Sequence, residues 1–215
     1  MGTREETKQQ TRARILHAAR KEIAERGGVG LSMRAVARGS DLVSSAVYRY
    51  FPSREALLTA MIIESYEHLA GALGEAPDGS PADRWRHLAS AFRDWARQHP
   101  HEFQLIYGTP IPGYQAPPET VPAATAVASP FLAAARNGAA AASRFAGAEL
   151  LDQLAGPASE LDAEPARLGA VLAELAALVG VVSLELAGHL VGTADPADHL
   201  FAALVERQVT TLGLD

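Results

Sequence analysis

Between Leu31 and Leu58 the apolar positions change rhythm, and the rest of the chain is arranged around that stretch. Leu31, Val36 and Ala37 give a short helix an apolar side, and Gly39 to Leu42 interrupt it. Val43, Val47, Tyr50 and Phe51 then recur at helical steps, as a second short helix burying one face requires. At about 100° per residue the opposite side carries Ser45 and Arg49, flanked by Ser44 and Tyr48. That side is small, polar and cationic, a surface suited to a nucleic-acid groove.

The same reading extends in both directions. Thr7 to Arg26 is predicted as the first helix, with Thr7 and Gln10 as a capping box and Gly27-Gly28 as its left-handed exit. Ser32 caps the next helix, with Met33 and Arg34 in its first turn. Arg12, Arg14 and Arg34 are placed to meet a phosphate backbone. Ser53 caps a helix to about Leu73, in which Leu58, Ile62, Tyr66, Leu69 and Leu73 form one stripe. The N–H groups at that start, with Arg54, are read as a phosphate clamp. Ser80, Pro81 and Asp83 open a fifth helix whose apolar face is Trp85, Leu88, Phe92 and Trp95. A short helix through Phe103, Ile106 and Tyr107 follows.

Five prolines mark Thr109 to Pro122 as a loop, which contains Tyr114. Alanine-rich helices anchored by Phe131, Leu132, Phe145 and Leu150 come next, including the alanine run at 139–142, and Gly156 to Ala163 is read as a break. A long apolar helix runs from Pro165 to about Val191, and Asp195-Pro196 caps the last one. Leu175, Val179, Val182, Leu186 and Leu190, with Leu204, Gln208 and Leu212, are the positions expected to pair two copies of the chain as a four-helix bundle.

Composition narrows the chemistry. The chain of 215 residues has no cysteine, which removes disulfides, zinc–thiolate sites and cysteine nucleophiles. The first ten residues lack an apolar core, so no signal peptide is read, and a cytoplasmic protein is expected. Glu174, Glu185 and His189 interrupt the late apolar helix, which favours a buried helix over a membrane span. The net charge is −6, but residues 1–54 carry 11 basic and 5 acidic groups against 8 and 20 in the remainder. A basic front on an acidic body collects phosphates locally. Glu64 with His68, and His99 with His101, lack a third ligand at metal-site spacing, so no metal and no cofactor are expected. No G-x-S-x-G, phosphate loop, dinucleotide fingerprint or H-E-x-x-H is present, which disfavours an enzyme. A helical protein-interaction module without DNA is the remaining alternative, and the basic polar face opposes it.

Three runs, T-R-A-R-I-L-H-A-A-R from Thr11, S-M-R-A-V-A from Ser32 and A-V-Y-R-Y-F-P-S-R-E-A-L-L from Ala46, resemble the DNA-binding domain of the tetracycline-repressor (TetR) family of bacterial transcriptional regulators. The later part, with V-S-L-E-L-A-G-H-L, also resembles a family subgroup whose C-terminal domain is named for a Trp-His-Gly motif, of which Gly180 is retained. The resemblance implies an all-α chain with a helix-turn-helix DNA-binding domain over residues 1–54 and a helical regulatory and dimerisation domain over 55–215. It implies a homodimer on palindromic operator DNA, released by a small-molecule effector, and no membrane. Arg34, Ser44, Ser45 and Ala46 are expected at bases or in the groove, and Ser32, Met33 and Arg49 are counted with them as DNA-binding residues. Tyr48, Tyr50 and Arg54 are expected on phosphates. Trp85, Phe92, Trp95, Phe103, Tyr107, Tyr114 and Phe131 are the candidate contacts for an apolar effector. At two positions the chain departs from the family: Asp41 stands where glycine is usual, and Val43 where a polar cap is usual. Ser44 or Asp41 is then left to cap the second helix of the motif.

Overall fold

The computed structural model describes residues 4–75, 77–136, 138 and 145–215; the alanine run at 139–142 lies outside them. Among the described residues there are ten α-helices and no strand, so the chain is all-α. They are α1 (Arg4–Arg26), α2 (Met33–Gly39), α3 (Ser44–Tyr50), α4 (Arg54–Leu73), α5 (Pro81–Gln98), α6 (Pro100–Tyr107), α7 (Val121–Ala134), α8 (Ala148–Glu160), α9 (Pro165–Leu186) and α10 (Asp198–Leu212). The chain divides into two compact units: Met1–Tyr66 with His99–Ala123, and Glu67–Gln98 with Ala124–Asp215.

The first unit is built on the interior of α1 to α3. Ile15, Leu16, Ala19 and Ile23 of α1 meet Val36, Ala37, Val47 and Phe51, and Leu57, Leu58 and Met61 of α4 close the cluster. Leu105, Ile111 and Tyr114 pack against it from α6 and the loop beyond, so the unit is larger than the 1–54 segment read from the motif. Tyr114 also exchanges a hydrogen bond with Thr59 Oγ1 at 3.0 Å. Two glycines permit this closeness. A Cβ at Gly39 would lie 3.3 Å from that of Ala18, and one at Gly28 would lie 2.6 Å from Ile111 Cδ1. The left-handed exit of α1 is Gly27 alone, at φ 68°.

Helix α1 starts at Arg4, before the expected Thr7. Glu5 and Glu6 in its first turn suit the positive end of the helix dipole, so the helix runs on through Thr7. The expected caps elsewhere are present: Ser32 Oγ accepts from Ala35 N–H, and Ser53 Oγ from Ala56 N–H. Three arginines then fasten the head. Arg54 donates to the carbonyls of Leu31, Gly28 and Val29 at 3.0, 2.8 and 2.9 Å, pinning the α1–α2 loop. Arg14 donates to Ser40 O, at the end of α2. The guanidinium of Arg12 lies 5.2 Å from the centre of the Phe51 ring.

In the second unit, Ser80 and Asp83 form the expected reciprocal cap of α5. Trp85, Leu88, Phe92 and Trp95 are buried as a stripe. Helices α9 and α10 pack on α5, and α8 lies along α9. A buried polar relay crosses this core: Trp85 Nε1 donates to Gln208 Oε1 at 3.0 Å, and Gln208 Nε2 donates to Glu174 O at 2.7 Å. Arg207 pairs with Glu174 at 2.7 Å. Arg93 makes two 2.7 Å bonds to Glu185 and one of 3.1 Å to Asp198. Among the described residues α9 is the one helix long and apolar enough to cross a membrane, with mean hydropathy 1.9. Its two glutamates, each bound to an arginine of a neighbouring helix, are those of a core helix.

Several boundaries move. Helix α8 continues through Gly156 and Pro157, and the break is confined to Leu161–Ala163, where Asp162 takes φ 49°. The proline loop ends at a 3-10 turn, Pro118–Thr120, because Pro118 and Pro122 sit in first turns, where a missing N–H is not needed. Helix α9 stops at Leu186, with Gly188 left-handed at φ 73°, so Leu190 lies beyond it. Asp195-Pro196 is a cis peptide, and the N-cap of α10 is Ala197.

The expected pairing positions also divide. Val182, Gln208 and Leu212 face the chain's own interior, with Gln208 at 0 % exposure, and are corrected to core residues. Leu175, Val179, Leu186, Leu190 and Leu204 are half-buried, while Leu172, Leu184 and Leu200 are 43, 45 and 40 % exposed. Helix α9 is apolar nearly all round, and periodicity cannot choose a face on such a helix.

Replacing Arg54 by alanine leaves three carbonyls without their donor. It is expected to lower unfolding stability by about 2 kcal/mol, read by urea titration of the α1–α3 signal. Asp41, at φ 51°, gives the opposite expectation: Asp41→Gly relieves left-handed strain and raises stability by about 1 kcal/mol in the same titration.

Candidate nucleic-acid interface

The turn between α2 and α3 fixes the geometry of this surface. Asp41 N–H donates to Arg38 O at 3.2 Å and Leu42 N–H to Ala37 O at 2.9 Å, while Asp41 is left-handed. This is the paired closure of a Schellman motif, with aspartate in the place glycine usually fills. Ser40 is buried beneath it, and its hydroxyl donates to Val36 O at 2.8 Å. The chain therefore reverses sharply, and α3 begins after one extended residue, Val43.

Neither Ser44 nor Asp41 caps α3, contrary to expectation. Val43 is the N-cap at φ −75° and ψ 149°, and no side chain bonds to the free N–H groups. Its carbonyl accepts from Ala46 N–H at 2.9 Å, so the helix starts on backbone bonds alone.

Of the expected contact residues, Arg34, Ser45, Tyr48 and Arg49 are exposed, and Ser32, Ser44, Tyr50 and Arg54 are half-buried. Tyr50 leans on the head's core, as its place on the helix predicts. Met33 and Ala46 are buried, the first within the core cluster, and are corrected to packing residues. A helix of seven residues makes about two turns, so a wheel drawn from sequence leaves its flanks ambiguous.

Arg54 has a second role. Its Nε and one terminal nitrogen are engaged by loop carbonyls, so it also positions the α1–α2 loop. The backbone N–H of Glu55 in α4's first turn, and after it the Ser53 hydroxyl, hold the Glu55 carboxyl below the usual carboxylate range, with Arg54 adding a smaller contribution. Arg38 is exposed one helical turn beyond Arg34 and was missed by the motif reading. The signal lay in the four-residue spacing of two arginines on α2. Glu64, weighed above with His68, instead lies 2.8 Å from Arg20.

The seven candidate effector contacts fall into both units. Trp85, Phe92, Trp95 and Phe131 belong to the second, where Trp85 meets Phe131 edge-on at 5.1 Å. Phe103, Tyr107 and Tyr114 belong to the first, where Phe103 and Tyr107 are 5.4 Å apart. Burial pushes the Tyr107 hydroxyl well above the ordinary tyrosine range, with a smaller push from Tyr66. None of the seven lines either described cavity. One, of about 420 Å³, lies among Ser129, Leu132, Arg136, Asp162 and Arg167 of the second unit. The other, of about 180 Å³, lies among Ile23, Gly28, Leu105 and Ile111 of the first.

Comparison with known proteins agrees with this layout. Residues 15–61 match the model of bacterial regulatory proteins of the tetR family, and residues 85–208 match that of the tetracyclin repressor-like C-terminal domain. The HTH-type transcriptional regulator Rv1816 of Mycobacterium tuberculosis (strain ATCC 25618 / H37Rv) is 41 % identical over 145 residues, 65 % of this chain. The match spans 62 % of that relative's length. The HTH-type transcriptional repressor KstR of Rhodococcus jostii (strain RHA1) is 32 % identical over 79 residues, 37 % of each protein. The solved structure of SCO4313 superposes with a TM-score of 0.79 at 31 % identity, covering 97 % of this chain and all of that one. With both its helix-turn-helix and its larger helical body matched, the chain belongs to the tetracycline-repressor (TetR) family of transcriptional regulators, a DNA-binding helix-turn-helix family.

Proposed function

We propose that the protein is a ligand-responsive repressor that binds palindromic operator DNA as a homodimer in the cytoplasm. The observation that carries the reading is the exposed polar face of α3, Ser45, Tyr48 and Arg49, beside Arg34 and Arg38 of α2. Ser45 and Arg49 read bases in the major groove, and Tyr48, Arg34 and Arg38 hold phosphates. Residues 1–54 act as the DNA-binding part and 55–215 as the regulatory part. The repressor role follows the relative named a repressor, KstR, whose matched segment is 79 residues long.

The pairing surface is proposed to be the apolar side left uncovered on α9 and α10: Leu172, Leu184 and Leu200, flanked by Leu175, Val179, Leu186 and Leu204. Such a face gains stability by being covered, and a two-fold pairing covers it with its own copy. The effector is proposed to be small and apolar. Its support is the aromatic content of the body, Trp85, Phe92, Trp95 and Phe131, which an apolar guest must part in order to enter.

A gel-shift series at graded salt tests the head. Arg38→Ala is expected to reduce the slope of log affinity against log salt by about one. Tyr48→Ala is expected to weaken all duplexes alike by about tenfold. Undiminished affinity in both variants defeats the docking. Sedimentation equilibrium tests the dimer: the native chain is expected to be dimeric at micromolar concentration and Leu184→Arg monomeric, with unchanged helix content. A native monomer removes the pairing proposal.

A further inference from the structure

Val43 is 69 % exposed, although it stands at the hinge of the motif. Its backbone is extended, and it is the N-cap of α3, the position where serine, threonine, asparagine or aspartate would bond the free N–H groups. Valine does none of this. Its side chain is absent from the buried cluster beneath α2 and α3, which Leu42 joins from one residue away. The motif thus leaves an apolar side chain exposed at the residue that leads into α3, whose exposed residues Ser45, Tyr48 and Arg49 follow it in the chain.

In a helix-turn-helix the residues at the start of the second helix are those that meet base edges. A valine there cannot bond a phosphate or a base nitrogen. The apolar group displayed by an unmodified major groove is the C5-methyl of thymine. We propose that Val43 is a specificity-determining residue that packs against a thymine methyl in each half-site, selecting thymine over cytosine at that step. The inference rests on the docking of α3 described above. It adds a contact that hydrogen-bond readout by Ser45 and Arg49 does not supply. Because the recognised feature is the methyl, 5-methylcytosine is recognised in the same way as thymine where the pairing partner is not itself read.

The test begins by selecting binding duplexes from a random library with the full-length native chain. Each thymine of the selected half-site is then replaced by deoxyuridine, which removes the methyl and preserves base pairing. One position per half-site is expected to weaken native binding about fourfold, the effect of losing one buried methyl group. The same replacement is expected to leave Val43→Ser unaffected. Serine also restores a side-chain cap, so Val43→Ser is expected to unfold at higher temperature than the native chain, which separates lost readout from lost folding. A deoxyuridine penalty that persists unchanged in Val43→Ser overturns the contact, as does the absence of a penalty at every thymine. Failure to select any sequence overturns the docking reading itself, and this inference with it.

Discussion

A head made from two seven-residue helices and one longer helix has little interior of its own. Surface grows relative to volume as a folded unit shrinks, and short helices gain most of their stability from packing. The structure meets this constraint by lending the head side chains from later in the chain. Leu57, Leu58 and Met61 of α4 form part of the same buried cluster as Ile15, Val36 and Val47. Leu105, Ile111 and Tyr114, some fifty residues further on, pack against its edge. The backbone is fastened where packing cannot reach: Arg14 holds the end of α2, and Arg54 holds the loop before it. The outward face of α3 is free for recognition because the inward one is so fully committed.

The second unit solves a different problem. Its helices are long and rich in alanine and leucine, so apolar area is plentiful and register is what must be specified. Trp85, Gln208 and the carbonyl of Glu174 supply it, since each polar atom has its partner in only one alignment of α5, α9 and α10. Arg93 adds a second fixed point through Glu185 and Asp198. Asp198 is correspondingly held below the usual carboxylate range by its hydrogen bond and charge contact with Arg93.

Local chemistry was legible in the sequence. The caps at Ser32, Ser53 and Ser80, the left-handed Gly27 and the stripe from Leu58 to Leu73 were all predictable, because each depends on neighbours within a turn or two. What failed was information carried by distant partners. The structural role of Arg54 is invisible until the carbonyls of residues 28, 29 and 31 are folded against it. Gln208 looks like an interface residue until Trp85 is placed beside it. Met33 and Ala46 fell on the wrong side because two helical turns do not define a face. Gly156-Pro157 read as a stop, yet α8 passes through it and puts Ala158 in the interior.

Gly28 shows what this borrowing implies for how the sequence can change. Its missing side chain is occupied space, filled by the end of Ile111. A larger residue there meets the side-chain tip of a segment more than eighty positions away along the chain, which must shift to admit it. A change in the loop that follows α6 is therefore also a change beneath the head, because the tip of Ile111 fills the space that Gly28 leaves.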